Sequence, residues 1–350
     1  FEPSEPAAMS YRSLGDTGLE VSEIAFGAHG VDNAQLMRAA LEAGINTFCT
    51  SGHYLDGMEE VALGRAIRES GFDRDRLNVL TGNNIKRGIT KQSVLDDIDA
   101  SLQRLGHDRI EVYYLGDVRS VAQLKNDAFH EAVDEAKQAG KVLHLGVSGH
   151  SGGMQAVLEA AMDDGRFEVF FIKYDFVSYP EQDELLARAA TQGIGTVVFK
   201  TNAGNRQREI KDLQTGGLSF PQATVKWALT NQAVASVAVT ITSYSELQEM
   251  AAAVGTRLHR PEVAMLRHYA DTMRNRYCRF CTACEPSCPQ GVAIADINRL
   301  WMYSAYYDRH AEASTKYADL PNRQSAAACR ACPAPCACLL YTSPSPRDHG

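Results

Sequence analysis

Over most of its 350 residues this chain has almost no cysteine. Cys49 is the one cysteine before residue 277, and the other eight follow it. A disulfide framework spreads its cysteines through the fold, so this distribution speaks against one; crowding into short C-x-x-C spacings favours a metal site. No run of about 18 apolar residues occurs, which excludes an ordinary membrane-spanning helix. Positive charge is not in excess: the formal net charge is −8 and the pI near 5.7, which argues against a nucleic-acid partner. No G-x-G-x-x-G follows the first apolar run, so the doubly wound dinucleotide-binding sheet, the alternative architecture, loses its usual fingerprint.

What the chain does contain is a regular alternation. Short runs rich in Val, Ile and Phe lie at 23–27, 47–50, 78–82, 110–115, 142–147, 169–174, 196–199 and 236–241, separated by helix-length segments. Within 91–105, Val94, Ile98, Leu102 and Leu105 form one apolar stripe; Leu36, Met37, Ala40 and Leu41 do so within 32–43, with Asp32 or Asn33 to cap the start and Gly44 to end it. Leu247, Met250, Ala251 and Val254 repeat the pattern over 243–254. Strands apolar on both faces and alternating with amphipathic helices build a parallel sheet covered by helices. Eight such units in about 230 residues predict a closed (β/α)8 barrel with its active site at the C-terminal ends of the strands.

The expected division is a disordered or artefactual N-terminus (1–9), the barrel (10–260), a small helical region (261–337) and a tail (338–350). The tail includes "CLLYTSPSPRD", which matches one reading frame of a sequencing-library transposon adapter and is set aside with Cys338. At the other end, Met9 is either the true start or preceded by a signal segment.

The helical region opens with "CRFCTACEPSCP". Cys278, Cys281, Cys284 and Cys288, followed by Pro289, have the rhythm that wraps three thiolates around one face of a [4Fe–4S] cubane and throws the fourth further away. Structural zinc, the alternative, usually takes two separated C-x-x-C pairs.

Several phrases resemble the aldo-keto reductase family: "YRSLGDTGLEVSEIAFG" (11–27), "LEAGINTFCTSGHY" (41–54), "SLQRLGHDRIEVYYL" (101–115) and "LGVSGHS" (145–151). "VKWALTN" (225–231), "YCRFCTACEPSCPQGV" (277–292) and "CRACPAPC" (329–336) look like a subgroup with a C-terminal ferredoxin-like 4Fe-4S domain. The resemblance spans about 10–337. It implies the barrel, nicotinamide-dependent carbonyl reduction, and a second cluster held by Cys329, Cys332, Cys336 and a further cysteine. Ferredoxin logic then has Cys288 closing the second cluster, and Cys336 or the further cysteine closing the first.

Such reductases use Asp, Tyr, Lys and His at four strand ends. The Tyr gives a proton to the carbonyl oxygen, and a cation must lower its pKa for it to act near neutral pH. Here Tyr54 matches the Tyr, but the Asp position is Cys49, the Lys position Asn83 or Asn84, and the His position Gly116. Lys86 is a candidate to replace the lysine, and His53 or His150 the imidazole. Cys49 reads as a small buried hydrophobe, or as a reactive thiol if a cation accompanies it. On the cofactor side, the Ser-Asn pair for the nicotinamide amide reads Ser148-Gly149 and a following Gln is Phe171, which weighs against NADPH and NADH alike, while the stacking aromatic is Phe199. "TITSYSELQEM" (240–250) has no cation for the NADP 2′-phosphate, and Glu246 stands where an Arg is usual, which weighs against ordinary NADPH binding.

The expectation is therefore an aldo/keto-reductase-like iron–sulfur oxidoreductase, acting on a small-molecule substrate and exchanging single electrons with a redox partner. The rival is an inactive barrel serving as a binding scaffold or electron carrier. Cluster assembly points to the cytoplasm, with export of the folded protein if a signal precedes residue 1.

Overall fold

A computed structural model describes residues 9–84, 88–150, 153–177, 181–203, 218–273, 278–280, 282 and 284–332. Ten strands are found among them. β1 (Tyr11–Ser13) and β2 (Glu20–Ser22) pair as an antiparallel hairpin. β3 (Ile24–Gly27), β4 (Thr47–Cys49), β5 (Asn78–Asn84), β6 (Ile110–Gly116), β7 (Val142–Gly149), β8 (Val169–Lys173), β9 (Gly195–Phe199) and β10 (Ser236–Thr240) close into an all-parallel barrel, β10 pairing with both β3 and β9. Each of the eight apolar runs becomes one barrel strand. Closure rules out the doubly wound alternative, because an open sheet leaves two edge strands unpaired.

The helices are α1 (Ala34–Glu42), α2 (Met58–Ser70), α3 (Lys91–Leu105), α4 (Val121–Leu124), α5 (Asp127–Gln138), α6 (Met154–Asp164), α7 (Glu181–Thr191), α8 (Phe220–Leu229), α9 (Tyr244–Ala251), α10 (Arg260–Met273), α11 (Ile294–Tyr307) and α12 (His310–Ala318). Local chemistry sets their ends. Asn33 caps α1 by accepting from the backbone N–H groups of Gln35 and Leu36. Thr90 and Ser93 form a reciprocal capping box on α3, and Gly106 ends it at φ 69°, a conformation that costs glycine nothing. The predicted stripe Val94, Ile98, Leu102 and Leu105 is buried. The helix expected over 243–254 is shorter: it ends at Ala251 once Leu247 and Met250 are buried.

Three apolar clusters divide the work. One lies between the strands and the helical ring. A second fills the barrel itself with Ala25, Leu80, Val112, Val169 and Val197, and is closed by Leu14 and Val21 from the hairpin. A side chain at Gly195 would collide with Leu14, so the plug depends on a glycine at the start of β9. The third cluster joins the barrel rim to the chain after residue 260: Phe176, Phe220 and Ala223 pack with Met265, Tyr269, Leu300 and Tyr303. The division expected at residue 260 is thus bridged by shared core.

Glu168, at the head of β8, ties three elements. It accepts hydrogen bonds from Lys137 of α5 (2.6 Å), from His144 of β7 (2.7 Å) and from the backbone N–H of Leu145 (3.0 Å). Burial pushes its carboxyl up, but the hydrogen bonds from His144, Lys137 and Leu145 outweigh it and hold the pKa at about 2. A depressed carboxylate contributes stability that is complete above its unfolded pKa, near 4.3, and is lost as pH falls from there towards 2. With the side chain about a third exposed, solvent screening limits this to about 1–2 kcal/mol. Glu168→Gln should lose that much at neutral pH and flatten the acid limb of a urea-unfolding series between pH 4.5 and 2. An unchanged acid slope would disprove the assignment.

Candidate active site

A cavity of about 610 Å³ opens at the C-terminal ends of the barrel strands. All four positions expected at the strand ends line it: Cys49, Tyr54, Asn84 and Gly116. Ser148, His150, Phe171 and Phe199 line it as well, and so does His53. Lys86 lies outside the described residues.

Tyr54 begins a short turn (Tyr54–Gly57) in which Leu55 and Asp56 hold φ of 42° and 54°. That region is costly for a side chain as bulky as leucine. The turn rests on Arg104 of α3. A Cβ on Gly57 would lie 2.5 Å from Arg104 Nε, and one on Gly52 would lie 2.9 Å from its Nη2. Arg104 is held in turn by Glu60, whose carboxylate accepts from Arg104 Nε at 2.7 Å and from Thr81 Oγ1 at 2.6 Å. The Tyr54 ring meets His29 and His53 edge-on, with centroids 4.5 and 4.8 Å apart. Burial, then Glu59, Tyr303, Cys49 and Asp117, all push its phenol above the ordinary value.

The changed positions fit one another. Asn84 and Gly116 are neighbours in the β5–β6 register, and a Cβ at Gly116 would stand 2.7 Å from Asn84 Oδ1. The absence of a side chain at Gly116 makes room for the Asn84 amide. Asn84 Nδ2 donates to His53 Nε2 (3.2 Å), His53 Nδ1 meets Ser51 Oγ (2.6 Å), and the Ser51 hydroxyl donates to the Gly82 carbonyl (2.7 Å). Followed from donor to acceptor, this chain places the His53 proton on Nδ1 and engages both ring nitrogens. His53 is therefore an anchor for Asn84.

His150 is better placed. Its Nδ1 lies 2.9 Å from Arg299 Nη1. An arginine can only donate, so Nδ1 accepts and the ring proton sits on Nε2. Burial, then Lys200 and Arg299, keep this imidazole far below its usual pKa and so neutral. The Cys49 thiol is buried and raised by that burial, with no cation among its influences, in keeping with the hydrophobe and against the reactive thiol. Phe199 and Phe171 stack as a tilted ring pair at 4.7 Å. Glu246 is turned back onto its own helix, accepting from Thr242 N and Oγ1 at 2.7 and 2.8 Å.

Several lining residues were not anticipated. Glu59 accepts from Gly30 N; burial pushes it up to about 7, against the hydrogen bonds from the Gly30 and Val31 backbone. The roof comes from after residue 260: Tyr303 of α11, Arg309, and Glu312 and Lys316 of α12. Arg309 lies 3.3 Å from both ring nitrogens of His29, and burial followed by Arg309 lowers that imidazole to about 4. Arg299 is almost fully buried, 3.4 Å from Asp296 and 3.8 Å from Asp117. The available signal was the spacing of Asp296, Arg299 and Tyr303, which puts the three on one face of a helix.

The closed parallel barrel with a cavity at its strand ends is the architecture of a known group. The model of the aldo/keto reductase family matches residues 29–212, more than half of the chain. The chain belongs to that family. Among curated aldo/keto reductase relatives and their kin, an uncharacterized oxidoreductase, YrpG, from Bacillus subtilis is 27% identical over 59% of this chain and 74% of its own length. The L-galactose dehydrogenase of Arabidopsis thaliana is 24% identical over 69% and 87%. Among solved structures, aldo-keto reductase AKR11C1 from Bacillus halodurans superposes with a TM-score of 0.60 at 22% identity, covering 74% of this chain and 96% of that one. The thermostable aldo-keto reductase Tm1743 gives 0.60 at 20% identity, covering 74% and 99%. At that identity the structures speak for the fold.

Of the expected cluster ligands, Cys278, Cys284, Cys288, Cys329 and Cys332 are described, whereas Cys281 and Cys336, like Cys338, lie outside the described residues. Among the described residues no three His, Cys, Asp or Glu side chains come together closely enough to hold a metal ion. Cys288 Sγ accepts from the backbone N–H of Val292 at 3.4 Å, and Phe280 and Thr282, between the first cysteines, have φ of 61° and 56°. Among the described residues no helix is long and apolar enough to cross a membrane.

Proposed function

We propose that this aldo/keto reductase family member is an oxidoreductase that reduces a small aldehyde or ketone in the strand-end cavity, coupled to iron–sulfur chemistry in its C-terminal region. The observation that carries the reading is the convergence of Tyr54, Asn84, His150, Ser148 and the Phe171–Phe199 ring pair on one cavity. A nicotinamide ring fits the residues present: Phe199 offers a stacking face and Ser148 a polar group beside it. Bound there, it would supply hydride. The chain's own groups do the rest. Tyr54, raised by burial and Glu59, keeps its proton at neutral pH and, in place of the cation-assisted acid of the family, gives it up only as the carbonyl oxygen gains full negative charge, while the Nε2 proton of neutral His150 orients that oxygen. Glu59, with a pKa of about 7, can exchange protons with the cavity near neutrality.

For the cluster, the support is the donor set itself: Cys278, Cys281, Cys284 and Cys288 as the first group, and Cys329, Cys332 and Cys336 as the second. Such a centre exchanges single electrons with an outside partner. The loss of the Asp, Lys and His positions favours a second reading, a barrel that binds a ligand or carries electrons without reducing carbonyls.

Anaerobic purification of the full chain separates these readings. A brown protein with broad visible absorbance and stoichiometric iron is expected, and so is oxidation of NADPH or NADH in the presence of an aldehyde or ketone. A colourless, zinc-containing preparation would overturn the cluster. Failure to bind either nicotinamide, with no carbonyl reduction, would leave the scaffold reading.

A further inference from the structure

Lys200 follows β9 and has no counterpart in the expected chemistry of the cavity. Its backbone φ is 59°, a region that residues with a side chain rarely adopt and that persists where the surroundings enforce it. The residue lines the cavity. Its Nζ lies 2.7 Å from the Tyr303 hydroxyl, 4.6 Å from the centre of the Tyr303 ring and 5.9 Å from that of Phe199. Among the described residues, no carboxylate is within ion-pair distance of it. Tyr303 comes from α11, more than a hundred residues later in the chain, so this contact exists only because the third apolar cluster seats the helices on the barrel rim.

We propose that Lys200 is an amine nucleophile: it condenses with an aldehyde or ketone in the cavity to form an imine, with Tyr303 as the proton donor. The Nζ lone pair forms a bond to the carbonyl carbon as the C=O π bond breaks, giving an ammonium–alkoxide whose nitrogen passes one proton to the oxygen to make the neutral carbinolamine. The carbinolamine hydroxyl then gains a second proton from Tyr303 and leaves as water as the nitrogen lone pair forms C=N, and the nitrogen loses its remaining proton. Nothing is oxidised or reduced, and the phenol regains its proton from the one the nitrogen gives up.

Two physical requirements are met. The amine must be uncharged to attack, and a lysine reaches that state when it is desolvated or set beside other cations. Burial is the largest influence on Lys200, and Arg299, Lys316 and Lys173 add to it; Glu312 is the acid that opposes them. The result lies well below the ordinary lysine value. An uncharged amine can still donate one N–H to Tyr303 and keep its lone pair. The phenol must also be protonated. Burial raises Tyr303 against the pull of Arg299 and Lys316, which keeps its proton in place for the departing hydroxyl.

The test needs neither nicotinamide nor cluster, so its failure is distinct from failure of the reductase reading. The full chain is mixed with limiting butanal at pH 7 and quenched with borohydride, which fixes an imine as a butyl amine, and the sites are mapped by peptide mass spectrometry. Lys200 should be labelled about ten-fold or more faster than the partly exposed lysines Lys91 and Lys141, which are ion-paired with Glu135 and Asp99. Tyr303→Phe should slow that labelling about ten-fold, and Lys200→Arg should abolish it while retaining a side chain of similar length. Labelling of Lys200 no faster than that of Lys91 and Lys141 in the unmodified protein overturns the nucleophile, and an unchanged rate in Tyr303→Phe removes Tyr303 from the step.

Discussion

Replacing Arg104 with methionine should destabilise the protein by about 2–4 kcal/mol, because it strands a buried carboxylate. Glu60 is 0% exposed, and its partners are Arg104 at 2.7 Å and Thr81 at 2.6 Å. Removing the guanidinium leaves the charge desolvated with one hydroxyl for company. Arg104 itself is about a quarter exposed, which holds the cost below that of a fully buried pair. Denaturant unfolding gives the number. A second variant tests the cause: Arg104→Met combined with Glu60→Met removes both charges and should recover much of the loss. If the double change is as damaging as the sum of the two single ones, the cost lies in packing rather than in the stranded carboxylate. A functional effect accompanies the stability effect, since Gly52 and Gly57, on either side of Tyr54, lie against the Arg104 side chain.

Tyr54→Phe should lower kcat for carbonyl reduction about 10²- to 10⁴-fold with little change in KM, the signature of a group that acts on the oxygen only as charge develops there. The substitution keeps the ring that packs edge-on against His29 and His53, so the fold is retained and the loss belongs to the hydroxyl. Full turnover in Tyr54→Phe would exclude it as the proton donor. Either outcome is informative, because the sequence resemblance assigns Tyr54 to the family's Tyr position and Cys49, Asn84 and Gly116 to the other three.

The eight barrel strands were legible because burial on both faces writes itself as unbroken apolar runs. The helix over 91–105 was legible from its apolar stripe, and its ends are set by the Thr90–Ser93 capping box and Gly106. The β1–β2 hairpin was not anticipated: two three-residue strands are too short to show a period, although the Gly and Asp between them mark a turn. At the site, the strand-end positions could be aligned by eye, but their consequences could not. That Gly116 accommodates Asn84, and that Asn84 in turn engages His53, depends on neighbours in the barrel wall. Glu246 was read as a charge facing a phosphate. Its place three residues after Ser243 is equally the mark of a helix start, and there its carboxylate is engaged. Lys200 and Tyr303 carried no signal at all as a pair, because no pattern along the chain links residues so far apart. The cysteine spacing was legible, whereas the arrangement of its thiols involves residues outside those described.

The apolar cluster shared by the barrel rim and α10–α11 has a consequence for how this protein can change over time. A cavity whose floor is set by strand ends and whose roof is set by a later stretch of the gene cannot inherit its selectivity from either alone. A recombination event that exchanged the region after residue 260 would replace Tyr303, Arg309, Glu312 and Lys316 in one stroke, altering which molecules fit while leaving the strand ends intact. The same event would have to match Phe176 and Phe220 in shape, so diversification at the roof is tied to compatibility at the seam.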